Sequence, residues 1–169
     1  QDLLSMVLQS DIEKIRLTLE ELDRDSFEKA VDAIVSARKL YIIGVRSCAA
    51  MATFMSFYFN LIFDNVVKVS ATTASEVFES LLRVGEGDVV IGVSFPRYSS
   101  RTVQAMNFAR SRGATTIAIT DSEVSPLSPI STYTLKARSD MASFVDSLVA
   151  PLSLINALLV AVSRKKNDD

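Results

Sequence analysis

Two short stretches place hydroxyl and guanidinium groups directly after apolar, strand-like runs. Residues 40–47 read Leu-Tyr-Ile-Ile-Gly-Val-Arg-Ser, and residues 89–102 read Val-Val-Ile-Gly-Val-Ser-Phe-Pro-Arg-Tyr-Ser-Ser-Arg-Thr. A buried strand that runs into such a turn and is followed by a helix gathers hydroxyls, backbone N–H groups and a positive helix end around one point. That chemistry suits an anion such as a phosphate. The candidates are Gly44, Arg46 and Ser47 in the first turn, and Ser94, Arg97, Tyr98, Ser99, Ser100 and Thr102 in the second, with Arg101 beside them. Each has a plainer alternative: Gly44 as a strand end, Ser47 and Ser99 as helix N-caps, Arg97 as a solvated charge. The chain contains no His, so a site built here lacks the commonest acid–base side chain.

The elements that must position these turns follow from periodicity. Apolar runs at 40–43, 66–70, 88–93, 115–119 and 132–136 read as strands, separated by helical stretches near 47–62, 73–83, 99–112 and 142–163. Strand and helix alternating at this spacing imply a three-layer α/β/α domain around a five-stranded parallel sheet. Thr73-Ala-Ser-Glu76 fits a capping box, and Gly113 fits a helix C-terminus. In an open parallel sheet ligands bind at the carboxyl ends of the strands, near a switch in strand order. The turns bearing Ser47 and Ser94 are therefore expected to converge, with Thr120 and Asp121 at the same edge. Ahead of the sheet, Leu4, Leu8, Ile12, Ile15, Leu19 and Leu22 form one narrow helical stripe, and Ser26 is read as the N-cap of a second helix reaching about Ala37. Residues 1–24 are expected to be a leading amphipathic helix, acting either as a linker to an upstream part or as an extra layer on the core.

Composition bounds the partners. The 169 residues include 49% hydrophobic and 22% charged side chains with a formal net charge of −2, an ordinary globular balance without the basic excess of a duplex binder. Arg164-Lys165-Lys166 is the one basic cluster and reads as a helix C-terminus. The single cysteine, Cys48, excludes an intrachain disulfide and a multi-cysteine zinc site. It is read as a small apolar filler in a reducing, cytoplasmic protein. The start has no basic region of the signal-peptide kind, and the absent initial Met suggests a piece of something longer. The apolar run from Phe144 to Val162 is interrupted by Asp146, Ser147, Pro151, Ser153 and Asn156, which marks a core or interface helix rather than a membrane span.

Taken together, strand, Gly-x-x-Ser at 44–47, strand, Ser-Phe-Pro-Arg-Tyr-Ser at 94–99, Arg-Gly-Ala at 112–114 and Ile-Ala-Ile-Thr-Asp at 117–121 resemble the sugar isomerase (SIS) domain. The closer resemblance, over roughly residues 30–163, is to the SIS domain of RpiR-type transcriptional regulators. It implies a sheet of flavodoxin-like order, residues 25–169 as a phosphosugar-binding domain, and a DNA-binding domain absent from this chain. Ser47 matches the family's first-turn Ser and Ser94 its first loop Ser. Pro96 and Arg97 stand where the general pattern has Ser and Gly, and Ser99 takes the Thr position. A hydroxyl is thereby lost and a guanidinium fork gained at Arg97, and bidentate phosphate contact by Arg97 or Arg46 is the expected compensation. The family's ligand sites lie near subunit interfaces, which brings in Asp140 and Ser143 along with Asp121.

Three functions compete on these residues. The first is a non-catalytic, dimerising sensor of a phosphorylated sugar, needing no cofactor or metal and no membrane, and reaching DNA only through another domain. The second is an aldose–ketose phosphate isomerase, for which Glu76, Glu79, Glu123, Asp121 and Asp140 are the available acids and bases. The third is an oligomerisation module with a vestigial pocket. Phe54, Phe57, Tyr58, Phe59 and Phe63 on one helix exceed what a single sheet-facing stripe needs, and the surplus points to a homodimer interface.

Overall fold

The structure, a computed structural model, describes residues 2–139 and 147–168. Two helices, α1 (Leu3–Glu21) and α2 (Arg24–Val35), precede an alternating series: β1 (Leu40–Gly44), α3 (Ser47–Ile62), β2 (Val66–Lys68), α4 (Ala74–Ser80), β3 (Val89–Val93), α5 (Ser100–Ser111), β4 (Thr115–Thr120), a 3-10 turn (Ser128–Ile130), β5 (Tyr133–Lys136) and α6 (Val149–Asp168). The five strands are parallel in the order β2-β1-β3-β4-β5. The predicted strands and the helices over 47–62, 73–83 and 99–112 are all present, within a few residues at their ends. The expected start of the last helix near 142 lies outside the described residues.

The strands alternate faces, so their side chains build two cores. Leu40, Ile42, Ile91, Ile117, Ile119 and Leu135 pack with α2, α3 and α6 on one side. Tyr41, Ile43, Val90 and Ala118 pack with α4 and α5 on the other. Nearly all of these side chains are fully buried, as a parallel sheet covered on both faces requires. Cys48 is among the buried residues of the first core, consistent with its reading as a filler.

Local chemistry sets the element ends. Thr73 accepts the Glu76 N–H and starts α4, but the Glu76 carboxylate takes the Ser70 hydroxyl instead of closing the box. Gly113, at φ 91°, ends α5: its N–H reaches the Arg110 carbonyl and the Ala114 N–H the Ala109 carbonyl, a Schellman motif. The second helix begins earlier than its sequence suggests. Asp23, not Ser26, is its N-cap, accepting both the Ser26 N–H and the Ser26 hydroxyl, because a carboxylate at the positive helix end outcompetes a hydroxyl three residues later.

The leading helix is turned the other way from a simple extra core layer. Leu4, Leu8, Ile12, Ile15 and Leu19 are exposed, whereas Lys14 and Thr18 are buried against the body. The attachment is polar: the Arg138 N–H donates to the Thr18 hydroxyl, the Arg138 guanidinium to Glu21, and Ser147 to Asp11. Among the described residues no helix is long and apolar enough to cross a membrane.

Candidate functional site

Strands β1 and β3 are neighbours in the sheet although β2 lies between them in sequence, so strand order switches there, and Gly44 sits directly opposite Val93. Whatever follows these two residues leaves the sheet side by side. A Cβ on Gly44 would stand 2.3 Å from the Cys48 carbonyl oxygen. Only glycine therefore lets the first turn of α3 fold back over the strand end. The link is made by Arg46, at φ 59° and ψ −124°, a conformation seldom held by a side-chain-bearing residue and one that concentrates at functional sites. Arg46 occupies the N-cap position and gives no side-chain cap. Ser47 is the first helical residue, exposed, and its hydroxyl is not used as a cap.

The loop after β3 is knitted more tightly. The Ser94 N–H continues the sheet by donating to the Ile119 carbonyl. Its buried hydroxyl accepts the Ser99 N–H at 3.1 Å, which folds residues 94–99 into a closed turn. Ser99 caps α5 by accepting the Thr102 N–H at 3.2 Å. Thr102 is fully buried beneath the loop with no partner for its hydroxyl among the described residues. Tyr98 donates to the Asp121 carboxylate at the end of β4, and burial together with that carboxylate pushes its phenol up to about 12. Arg101 reaches the other way, donating to the Ala71 and Thr72 carbonyls at 2.7 and 2.9 Å and so fastening the loop after β2. Pro96 and Arg97 are left exposed at the tip.

Two cavities open at this edge. One of about 660 Å³ is lined by Gly44, Val45, Arg46, Thr53, Lys68, the segment 69–72 and Arg101, a size suited to a small polar ligand. The other, of about 380 Å³, lies at the ends of β4 and β5 and contains Asp121, Glu123, Lys136 and Arg138 with Thr18 and Glu21 of α1. Glu123 is there held below its ordinary value by the Lys136 ammonium at 3.1 Å and the Ser128 hydroxyl.

The sequence matches the model of the SIS domain over residues 33–161. The chain belongs to the SIS domain family. Its fold superposes on the sugar isomerase domain of an RpiR transcription factor from Sphaerobacter thermophilus with a TM-score of 0.92 and 30% identity, covering 99% of this chain and 93% of that one. The NanR protein of Vibrio vulnificus, solved in complex with ManNAc-6P, gives a TM-score of 0.86 at 21% identity over 99% of this chain and 64% of its own. Among curated proteins, an uncharacterized HTH-type transcriptional regulator of Caldanaerobacter subterraneus is 28% identical over 90% of this chain and 55% of its own length. A similarly named regulator of Haemophilus influenzae is 28% identical over 85% and 51%. The chain thus spans about half the length of the curated relatives it matches.

Within this SIS domain, the residues singled out from sequence fall into three groups. Gly44, Arg46, Ser47, Ser94, Arg97, Tyr98, Ser99 and Ser100 gather on the two loops at the β1–β3 edge. Asp121 lies at the neighbouring strand end, engaged with Tyr98, and Thr102 lies in the core below. Asp140 and Ser143 lie outside the described residues. The acids available for isomerisation are dispersed: Glu76 holds Ser70, Glu79 is exposed on α4, and Glu123 is paired with Lys136. Sequence reasoning misses Lys68, Ser70 and Thr72, which the structure places on the larger cavity. Their only sequence signal is the end of the second strand, since Arg101, which fastens that loop, stands some thirty residues away.

Proposed function

We propose that this SIS domain binds a phosphorylated sugar at the β1–β3 edge and serves as the non-catalytic, dimerising effector domain of an RpiR-type regulator whose DNA-binding domain lies outside the chain. The observation that carries this reading is the pairing of two hydroxyl-bearing turns at the switch point of the sheet, flanked by Arg46, Arg97 and Arg101, none of which has a carboxylate partner among the described residues. Ser47, Ser99, Ser100 and the guanidinium of Arg97 offer donors to a phosphate beside the N-terminus of α5. Ser94 acts from below, its hydroxyl accepting the Ser99 N–H, and Thr102 holds Ser99 through its backbone N–H alone. The regulator names of the relatives and the ManNAc-6P complex of the Vibrio protein support the same assignment. Isomerisation needs a free base beside the sugar; among the described residues no carboxylate lines the larger cavity, and of those on the smaller one Glu123 is paired with Lys136 and Asp121 accepts from Tyr98.

Dimerisation is supported by unpartnered apolar surface. Phe54, Phe57, Tyr58 and Leu61 stand exposed along α3, next to exposed Val160 on α6, while Phe59 is buried in the core and Phe63 packs partly against it. Phe54 and Phe57 each pack edge-on to Tyr58, with 5.1 Å between ring centroids. Surface of this kind is characteristic of a subunit interface. Placement in the reducing cytoplasm rests on the lone, buried Cys48.

The test is a thermal-shift screen of phosphosugars against their unphosphorylated sugars. Ligand at one hundred times its dissociation constant adds about 2.7 kcal/mol to the folded state. A rise in Tm with a phosphosugar, absent with the free sugar and lost in Ser47→Ala, is the expected result. Turnover of a ketose phosphate to its aldose would overturn the non-catalytic assignment.

A further inference from the structure

The larger cavity is not simply the phosphate seat. Ser94, Arg97 and Ser99 do not line it; it adjoins their loop through Gly44–Arg46 on one side and through Arg101, two residues past the Ser99 cap, on the other. Its own cations come from three separate parts of the chain: Arg46 from the turn after β1, Lys68 from the end of β2, and Arg101 from the first turn of α5. No carboxylate lines it among the described residues. None of the three cations makes an ion pair among those residues, although Arg46 and Lys68 are exposed like Lys29 and Arg16, which find Asp25, Glu13 and Glu20 on their own helices. Lys68 uses one donor on the Thr53 hydroxyl at 3.3 Å, and Arg101 uses one terminal nitrogen on two carbonyls. An ammonium has three donors and a guanidinium five, so both retain capacity facing a cavity of about 660 Å³. Arg46 adds a second, independent observation, because its φ of 59° is strain held at the cavity wall.

From this we propose that the ligand carries a second anionic group, a carboxylate or a second phosphate, seated between Arg46, Lys68 and Arg101 while its first phosphate rests on the serine loop. The inference rests on the phosphosugar reading and narrows it to phosphorylated sugar acids or sugar bisphosphates. A neutral polyol end would leave three neighbouring cations without a counter-charge. An anionic end offers them charge-assisted hydrogen bonds, roughly twice as strong as neutral ones.

Matched pairs that differ only at the far end test the second site apart from the first. Gluconate 6-phosphate and glucitol 6-phosphate share a carbon chain and differ in a carboxylate against a hydroxymethyl group; fructose 1,6-bisphosphate and fructose 6-phosphate test a second phosphate. Titration calorimetry at fixed ionic strength is expected to show the member with the second anion binding about tenfold more tightly in at least one pair, which is about 1.4 kcal/mol. Lys68→Gln should bring that ratio towards one, whereas Ser47→Ala should weaken both members of the pair alike. Equal affinity within both pairs would overturn the second-anion site and leave the phosphosugar reading standing. If none of the four binds while a phosphosugar with a neutral far end raises the Tm, the second-anion site alone is overturned; if no phosphosugar in the screen binds, both are.

Discussion

The Tyr98 hydroxyl donates to the Asp121 carboxylate, and this one bond ties the loop after β3 to the end of β4. The loop that bears Arg97 and Ser99 is therefore held from the β4 side by Tyr98, from below by Ser94, and itself holds the β2 loop through Arg101. Such bracing pre-forms the turn before any ligand arrives, which lowers the ordering cost of binding.

The Tyr98 bond makes a pH-dependent contribution whose sign follows from its direction of shift. The folded phenol titrates at about 12, against roughly 10 in an unfolded chain. Below about pH 10 the phenol is neutral in both states and the bond contributes fully. Between about pH 10 and 12 the unfolded chain ionises first, and the contribution is lost. Tyr98→Phe should cost about 1–2 kcal/mol near neutrality, and the gap between wild type and variant should close above about pH 10. Urea unfolding near neutrality and again well into the alkaline range measures it; a gap independent of pH would show that the bond does not form.

At the opposite edge of the sheet, Arg38 grips Asp88 with two hydrogen bonds of 3.0 and 2.9 Å. Burial alone would raise the Asp88 carboxyl, but Arg38 and the Gly85 N–H together hold it below its ordinary value. A depressed carboxyl stabilises the fold above about pH 4 and loses that contribution as the pH falls further. Asp88→Asn should therefore cost about 2 kcal/mol near neutrality, a figure already discounted because Arg38 itself is largely exposed, and less in acid. Chemical unfolding at the two pH values measures the difference. Ligand affinity should not change, since the pair lies away from the strands' carboxyl ends.

Much of this arrangement is legible in the sequence, for a definite reason. Strands buried on both faces are continuous apolar runs, so residues 89–93 and 115–120 announce themselves, and the turns that follow carry their chemistry in one unbroken string. What is not legible depends on orientation or on distant partners. The stripe Leu4–Leu19 gives the period of α1 but not which way it faces, and the polar grip of Thr18 and Glu21 on Arg138 turns the stripe outward. The cluster of Arg46, Lys68 and Arg101 comes from three elements and forms only once β2 is laid against β1. That Asp23 rather than Ser26 caps α2 is not legible either, since both residue types suit that position and spacing alone does not rank them.

The exposed rings of α3 give a prediction about assembly. Phe57 and Leu61 are 60% and 71% exposed and contribute little to the monomer's own core. Phe57→Lys and Leu61→Lys should leave the helix content and Tm near wild type, within about 0.5 kcal/mol, yet shift sedimentation from dimer to monomer. A wild-type chain that sediments as a monomer at high micromolar concentration would refute the interface.

Gly44 is constrained by backbone rather than by flexibility. The 2.3 Å approach that a Cβ would make to the Cys48 carbonyl involves no flexible side chain that can move aside. Gly44→Ala must push α3 off the strand end, at a cost of about 1–3 kcal/mol. Because α3 carries Ser47, phosphosugar binding should fall with stability, as a thermal-shift titration of the purified variant would show. Gly92→Ala serves as the contrast: it meets the flexible end of Met106 instead and should retain binding.

Ser47 and Ser99 look alike in sequence, and the structure separates them into different roles that two alanine variants can distinguish. Ser99 accepts the Thr102 N–H and caps α5, so Ser99→Ala should cost about 1 kcal/mol of stability before any ligand is considered. Ser47 stands at the first helical position of α3, caps nothing and is exposed, so Ser47→Ala should change the Tm of the free protein hardly at all. Under a saturating phosphosugar the ranking should reverse. Ser47→Ala should lose most of the ligand-induced shift, while Ser99→Thr, which keeps both cap and hydroxyl, should retain both stability and response. If Ser47→Ala binds as wild type does, the first turn is only a helix start and the phosphate must be held by the second loop alone.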